Sequence, residues 1–351
     1  MLTGKKLILF GAGIIGRRAM DFFGAETVFC FTDNNKAGQT VWGKQVISFD
    51  ALKSIKDYYD VVLTANSEAT TFFASQCECY GIKYQIFGDL VHLDDLISNS
   101  EIQNFKDLHK GQRCFLVGNG PSLTAGDLTT ISIHSEISFG CNAISEIFSQ
   151  TMWRPNYFLA YDPSLFRYKV EMLKETEAEY KFFPTLNEAY VDDVQRTMKL
   201  LNCGKGRVVY TSVITSNQLH GLPDFSHDAS KALYTNSTVM YVMIQLAIYM
   251  GFSKIYLVGV DGGTMHPKNL EAYLSEKQHF YSEDMEYLYQ YNSFLAPQST
   301  ETIELRMENG YLRAEKYARE HNISILNATR GGKLEMFERV DFDTLFSNTR
   351  L

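Results

Sequence analysis

Short apolar runs recur along the chain, each closed by a polar or glycine turn, with room for a helix between one run and the next. Leu7–Phe10 is the first, followed by Gly11-Ala12-Gly13-Ile14-Ile15-Gly16 and a helical stretch Arg17–Phe23. Val28–Thr32 ending at Asp33, Val61–Thr64 ending in Ala65-Asn66-Ser67, and Tyr84–Phe87 continue the series. Short continuous apolar runs read as strands buried on both faces, and strands alternating with helices predict a parallel, doubly wound sheet. The polar stretch after Asn99 reads as a helical connector, and then the pattern restarts. Cys114–Val117, Ile137–Gly140, Tyr157–Ala160, Arg207–Tyr210, Lys254–Val258 and Ser324–Asn327 are predicted strands. Ser237–Met250 and Asn309–His321 are predicted helices. The fold class is therefore α/β, with a Rossmann-like unit over 1–98, a connector over 99–111 and a larger α/β unit over 112–351. One tract, about 262–308, breaks the rhythm and is dense in aromatics (Tyr273, Phe280, Tyr281, Tyr287). A long aperiodic tract inside a compact domain predicts a lid or functional insertion.

Composition narrows the class without changing the picture. A chain of 351 residues, 45% hydrophobic and 21% charged, fits two globular domains. The net charge of −8 lacks the basic field of a duplex nucleic-acid binder. The six cysteines contain no Cys-x-x-Cys and read as free thiols of a cytoplasmic protein. Lys5-Lys6 before Leu7–Ile15 imitates a signal peptide, but Gly11, Gly13 and Arg17-Arg18 favour a first buried strand. Val239–Met250 is too short to span a bilayer and carries Gln245, which leaves peripheral membrane association as the only membrane contact expected.

The candidate chemistry sits at the ends of the predicted strands. Gly11-x-Gly13-x-x-Gly16, with Asp33 closing the next strand, has the context of a dinucleotide-binding turn, although the same glycines also serve a purely structural turn. Gly118-Asn119-Gly120-Pro121-Ser122 follows a strand directly. Its glycines permit close ligand approach, Pro121 suits a turn or first helical position, and Ser122 adds a hydroxyl; together they predict an anion nest. Asn142 and Asp162 end the next two strands, Thr235-Asn236-Ser237 opens the apolar helix, and Asp261 ends a further strand. Polar tips on successive strands define the crevice in which open α/β sheets bind ligands. Arg330-Gly331-Gly332-Lys333 reads either as a grip on an acidic acceptor or as a plain turn. No convincing Asp-x-Asp is present, Asp162 and Asp261 being single carboxylates at their turns, so no metal is expected to be required.

Cys114–Leu123 resembles the opening of the family 42 bacterial sialyltransferases, and equally that of the proteins called MptE-like, or domain of unknown function 115. Phe139-Gly140-Cys141-Asn142 is similar to the sialyltransferase strand that ends on the nucleotide. Met250–Asp261 resembles their Gly-Ile-Asp segment, and His279-Phe280-Tyr281 stands where they carry a His-Tyr segment beside the catalytic histidine. The first 98 residues resemble the small Rossmann-like domains of glycan-assembly enzymes. The resemblance implies a GT-A-like, sialyltransferase-type C-terminal domain. It implies an inverting transfer of a nonulosonate or Kdo-like sugar from a CMP-activated donor to a bacterial surface glycan or glycolipid. His279 is then the expected base, with His266 as the second candidate. Gly118, Asn119, Gly120, Pro121, Ser122, Asn142, Asp162, Thr235, Asn236, Ser237 and Asp261 are the expected donor-binding set. The pattern departs after Asp261, where Gly262-Gly263-Thr264-Met265-His266 replaces the tyrosines that hold the donor phosphate in that family. Two other functions compete: a magnesium-dependent pterin-type diphosphokinase using ATP through Asp162 and Asp261, and a non-catalytic nucleotide-sugar scaffold. A homo-oligomer is compatible with all three.

Overall fold

The computed structural model describes residues 2–65, 67–186, 190–215, 222–262, 279–281 and 300–347. The chain divides into two compact units, Met1–Asp95 with 217–220, and Leu96–Ser216 with Gly221–Leu351.

The first unit is a six-stranded sheet in the order β3-β4-β2-β1-β5-β6. Its strands are β1 (Leu7–Phe10), β2 (Val28–Thr32), β3 (Thr40–Val41), β4 (Lys44–Ile47), β5 (Asp60–Leu63) and β6 (Tyr84–Ile86). All neighbours pair parallel except β3 and β4. That hairpin has no counterpart in the expected strands. It turns through Trp42 (φ 46°) and Gly43 (φ 75°), and two successive left-handed residues are what a tight two-residue hairpin requires. Trp42 is retained there because its ring packs edge-on against Phe31, 5.6 Å away.

The glycine turn after β1 behaves as the sequence predicts in backbone terms. A Cβ on Gly11 would stand 2.3 Å from the Thr64 carbonyl oxygen, and one on Gly16 would stand 2.1 Å from the Gly11 carbonyl oxygen, whereas one on Gly13 would meet nothing. Asp33 is engaged with the protein itself. Its carboxylate accepts from Ala12 N (2.9 Å) and Asn35 N (2.9 Å), while Lys36 Nζ donates to Ala12 O (2.8 Å). The acid at the end of β2 thus shapes the turn.

The second unit holds an eight-stranded sheet in the order β11-β10-β9-β8-β7-β14-β15-β16, every pair parallel. The strands are β7 (Arg113–Val117), β8 (Ser138–Cys141), β9 (Tyr157–Leu159), β10 (Tyr180–Pro184), β11 (Arg207–Thr211), β14 (Lys254–Val258), β15 (Ser324–Asn327) and β16 (Glu338–Arg339). A separate two-stranded sheet joins β12 (Val213–Thr215) to β13 (Leu233–Thr235). The chain winds outward from β7 through β8 to β11 and then returns to β14 on the other flank of β7. The strand order therefore reverses between β7 and β14.

β10 is the strand that apolar patterning does not reveal, because Lys181 interrupts it. Lys181 is fully buried, and its ammonium donates to the carbonyls of Leu173 (2.8 Å) and Lys174 (2.7 Å), a carbonyl cage that serves a strand-borne cation. Burial pulls its pKa down to about 8. The long helix near the C-terminus runs Thr300–Glu320, so 300–308 are helix and not part of an insertion. The rest of the expected lid, apart from 262 and 279–281, lies outside the described residues.

The apolar helix Val239–Tyr249 is buried almost all round, and its one polar interior residue is fully satisfied. Gln245 Oε1 accepts from Ser226 N and Tyr234 N (both 3.0 Å), and its Nε2 donates to Tyr234 O (2.8 Å) and Tyr241 O (2.9 Å). It therefore holds β13, and with it the Thr235–Ser237 turn, against the helix. Among the described residues no helix is long and apolar enough to cross a membrane.

On one face of the large sheet the core is closed by the chain's own C-terminal turn, Asp343–Phe346. Phe346 stacks on Phe115 (centroids 5.6 Å apart), and Phe342 meets the same ring edge-on. Arg330 ties this turn down, bonding Asp343 (2.9 and 2.6 Å) and the buried Asp127 (3.0 Å). Arg330 is thus a structural clamp, which removes it from the expected acceptor grip. Phe346→Ala leaves a cavity against Phe115 and is expected to cost about 3–5 kcal/mol. Urea denaturation of the full chain checks this: the midpoint falls while the slope stays unchanged.

Candidate functional site

The reversal of strand order places the ends of β7 and β14 side by side, the position at which parallel sheets open a crevice. The two tips interlock backbone to backbone. Gly118 N donates to Val258 O and Gly120 N to Gly259 O, both at 2.8 Å. A Cβ on Gly118 would lie 2.6 Å from Gly259 O, and one on Gly259 (φ 66°) would lie 2.9 Å from Gly118 O. Both glycines are required by this approach.

Asp261 completes the lock. Ser122 Oγ donates to Asp261 Oδ2 at 2.9 Å, and Ser122 N points to the same oxygen at 3.4 Å. A Cβ on Gly120 would fall 1.8 Å from that oxygen, so the carboxylate occupies the space a side chain would take. On its other side the Asp261 carbonyl accepts from Lys333 N (2.5 Å), with Gly332 packed against the Asp261 backbone. Arg330-Gly331-Gly332-Lys333 is therefore a turn that buttresses Asp261. Burial raises the Asp261 carboxyl above its ordinary pKa, opposed by the bonds from Ser122 and by Arg339.

This geometry corrects the expected nest. The helix after the loop begins at Ala125, capped by Thr124, so of the two readings of Pro121 the turn holds and the first helical position does not. The N–H groups of Gly118, Gly120, Ser122 and Leu123 all point to protein oxygens. The nest already has its anion, the Asp261 carboxylate, and a phosphate placed there would meet like charge.

What the loop presents instead is asparagine oxygen. Asn119 Nδ2 donates to Cys141 O (3.0 Å), which fixes the amide orientation. Its Oδ1 is buried without a hydrogen-bond partner, as is Oδ1 of Asn142 at the end of β8. Buried acceptors without donors are rare and costly, so each calls for a ligand N–H or O–H. Asn142 also sits at φ 50° and Ser237 at φ 57°, non-glycine residues in left-handed backbone, a strain that collects at functional sites.

The remaining predicted residues divide by what they touch. Asp162 Oδ1 accepts from Ser164 N (2.9 Å) and Ser164 Oγ (2.8 Å), capping the helix Pro163–Tyr168. Thr235 closes β13. Asn236 is buried and donates its amide to the Arg306 carbonyl, anchoring the helix Thr300–Glu320; Gly310 leaves room for it. Thr238 caps the helix Val239–Tyr249, accepting from Met240 N at 3.2 Å. Tyr311, which sequence reasoning missed, bonds Thr238 and lies near Cys141, with burial pushing its hydroxyl up to about 12. No spacing signal marks it, because it is one buried position on an amphipathic helix. The Cys141 thiol is raised to about 12 by burial and directed at Val117 O, which makes it no nucleophile.

His279 lies against the same loop. Its Nδ1 is 3.2 Å from Asn119 O, and Phe280 N donates to that carbonyl at 3.2 Å. The ring stacks on Tyr281 (5.0 Å, 5°). Burial lowers the His279 pKa, with the bond to Asn119 opposing. His266 and Tyr273 lie outside the described residues. Among the described residues no group of three or more His, Cys, Asp or Glu side chains gathers as a metal centre.

The model of one family, described as 6-hydroxymethylpterin diphosphokinase MptE-like, matches residues 90–294, more than half of the chain. The match contains β7, β8, β14 and His279. No curated protein matches. Among solved structures, the MAf glycosyltransferase from Magnetospirillum magneticum AMB-1 aligns with a TM-score of 0.43 at 16% identity, over 99% of this chain and 58% of that one. The chain thus spans less than two thirds of that protein's length.

The interlock makes a direct prediction. Gly120→Ala drives a methyl into Asp261 and is expected to destabilise the chain by about 1–3 kcal/mol. Adding Asp261→Ala to it recovers part of that loss, so the two changes combine less than additively in a double-mutant cycle read by thermal unfolding.

Proposed function

The chain belongs to the 6-hydroxymethylpterin diphosphokinase MptE-like family, and we propose that this member is an inverting glycosyltransferase with a CMP-activated donor. The donor sugar is a sialic-acid-like nonulosonate or a Kdo-like acid, and the acceptor is a hydroxyl of a bacterial surface glycan or glycolipid. The observation that carries the reading is His279, partly buried and turned so that Nδ1 faces the Asn119 carbonyl. A carbonyl only accepts, so a neutral ring carries its proton on Nδ1 and its lone pair on Nε2, the form a general base needs. Burial keeps that neutral form present at neutral pH.

In this reading Asn119 and Asn142 accept from hydroxyl or amino groups of the nucleoside, the donors their buried oxygens call for. The start of the helix Val239–Tyr249, at Ser237–Thr238, takes the single phosphate. His279 Nε2 removes the proton from the acceptor hydroxyl as its oxygen attacks the anomeric carbon. The bond from that carbon to the phosphate oxygen breaks on the opposite face, and CMP leaves with the electron pair. CMP carries less charge than a nucleoside diphosphate, so the step runs without a metal.

A second reading, ATP-dependent pterin diphosphorylation, is favoured by the description of the family. It needs magnesium on carboxylates near the phosphates. The described residues offer Asp261, already bonded to Ser122, while Asp162 serves as a helix cap.

Calorimetric titration with CMP, CDP, ATP and UDP, with and without magnesium, separates these. CMP is expected to bind without metal and to lose about tenfold in affinity in Asn142→Ala, the cost of one hydrogen bond of about 1.4 kcal/mol. Magnesium-dependent ATP binding with CMP silent would replace the transferase by the diphosphokinase. Silence from all four would leave the scaffold.

A further inference from the structure

The Asn119 amide is held in one orientation. Its Nδ2 donates to Cys141 O at 3.0 Å, and a reversed amide would set oxygen against oxygen. Oδ1 is therefore a fixed acceptor, and it is buried without a hydrogen-bond partner. The same bond docks Asn119 on the carbonyl just before Asn142, whose own Oδ1 is likewise buried and unpartnered. Two acceptors thus stand at neighbouring strand tips. Donors around them are spent inside the protein. The N–H groups of Gly118, Gly120, Ser122 and Leu123 point to protein oxygens, Asn142 N donates to Leu159 O (3.0 Å), and the Cys141 thiol is directed at Val117 O.

A ligand group that donates and asks for no donor in return suits such a place. A ribose hydroxyl gives one hydrogen and brings lone pairs that want donors of their own. An ammonium would bring a charge out of water onto neutral oxygens, at high cost. The exocyclic amine of cytosine or adenine is neutral and offers two N–H groups, and its lone pair is drawn into the ring. Uracil and hypoxanthine carry a carbonyl oxygen at the same position.

We infer that Asn119, together with Asn142, selects the base of the nucleotide: the pair takes an exocyclic amine and refuses a ring carbonyl in its place. The inference rests on the reading of the crevice as a nucleotide site and names the class of base it takes. A carbonyl there faces the fixed Asn119 Oδ1 and leaves it unpaired, the circumstance in which a buried site discriminates most steeply.

Calorimetric titration of the full chain with CMP, UMP and 2′-deoxy-CMP, in wild type and Asn119→Ala, tests it. Wild type is expected to bind CMP about a hundredfold more tightly than UMP, and 2′-deoxy-CMP about as tightly as CMP. Asn119→Ala is expected to bring the ratio of CMP to UMP affinity down to about one. A merely structural Asn119 weakens both nucleotides together and leaves the ratio where it was, and that result would overturn the inference. Wild type binding UMP as tightly as CMP would also overturn it, as would loss of 2′-deoxy-CMP with UMP retained, the pattern of a grip on the ribose. If Asn119→Ala does not fold, the three wild-type affinities decide. If neither pyrimidine nucleotide binds, AMP and IMP separate the two claims. AMP bound with IMP refused ends the transferase reading and upholds selection of the amine. AMP and IMP bound alike, or neither bound, ends both.

Discussion

The contact on which the second unit's site depends is the close approach of two strand ends. β7 and β14 are neighbours with nothing between their tips, and at Gly118 and Gly259 their backbones come nearer than side chains allow. Asp261 then reaches across, bonds Ser122, and fills the space over Gly120. The buttress from Gly332 and Lys333 holds Asp261 from behind. Each of these residues answers to the same constraint, which is why four glycines gather around one carboxylate.

In the proposed function that constraint bears on the ligand chemistry. A glycine loop at a strand end is ordinarily read as a phosphate cradle, because its N–H groups face outward. Here those of Gly118, Gly120, Ser122 and Leu123 face inward, to carbonyls and to Asp261. The loop offers oxygen acceptors to the crevice, and acceptors select hydroxyl and amino groups. Under the proposed function the phosphate goes to the start of the helix Val239–Tyr249, where Gln245 ties β13 to the helix and Tyr311 bonds Thr238.

The strands most legible in the sequence, β1, β2, β7 and β14, carry apolar runs that stop at a turn. β10 was not legible because its buried lysine finds its carbonyl partners on the helix just before it, and single-strand patterning carries no trace of them. The β3–β4 hairpin is too short for periodicity and turns on a tryptophan. For the site, the sequence marked Gly118–Ser122, Asn142 and Asp261 correctly as strand tips, but their roles are tertiary. The Ser122–Asp261 bond joins residues 139 positions apart, and it converts an apparent phosphate nest into an occupied one. Asp162 and Asn236 look like ligands in sequence because caps and anchors use the same residue types as binding sites.

The central claim is that the crevice recognises a nucleoside and that the loop leaves no seat for phosphate. Titration with cytidine and, separately, with inorganic pyrophosphate in the presence of magnesium tests it most directly. Cytidine binding that is weakened in Asn119→Ala, with pyrophosphate silent, is the result the account predicts. Pyrophosphate binding that Asp261→Asn alters, with cytidine silent, would contradict it.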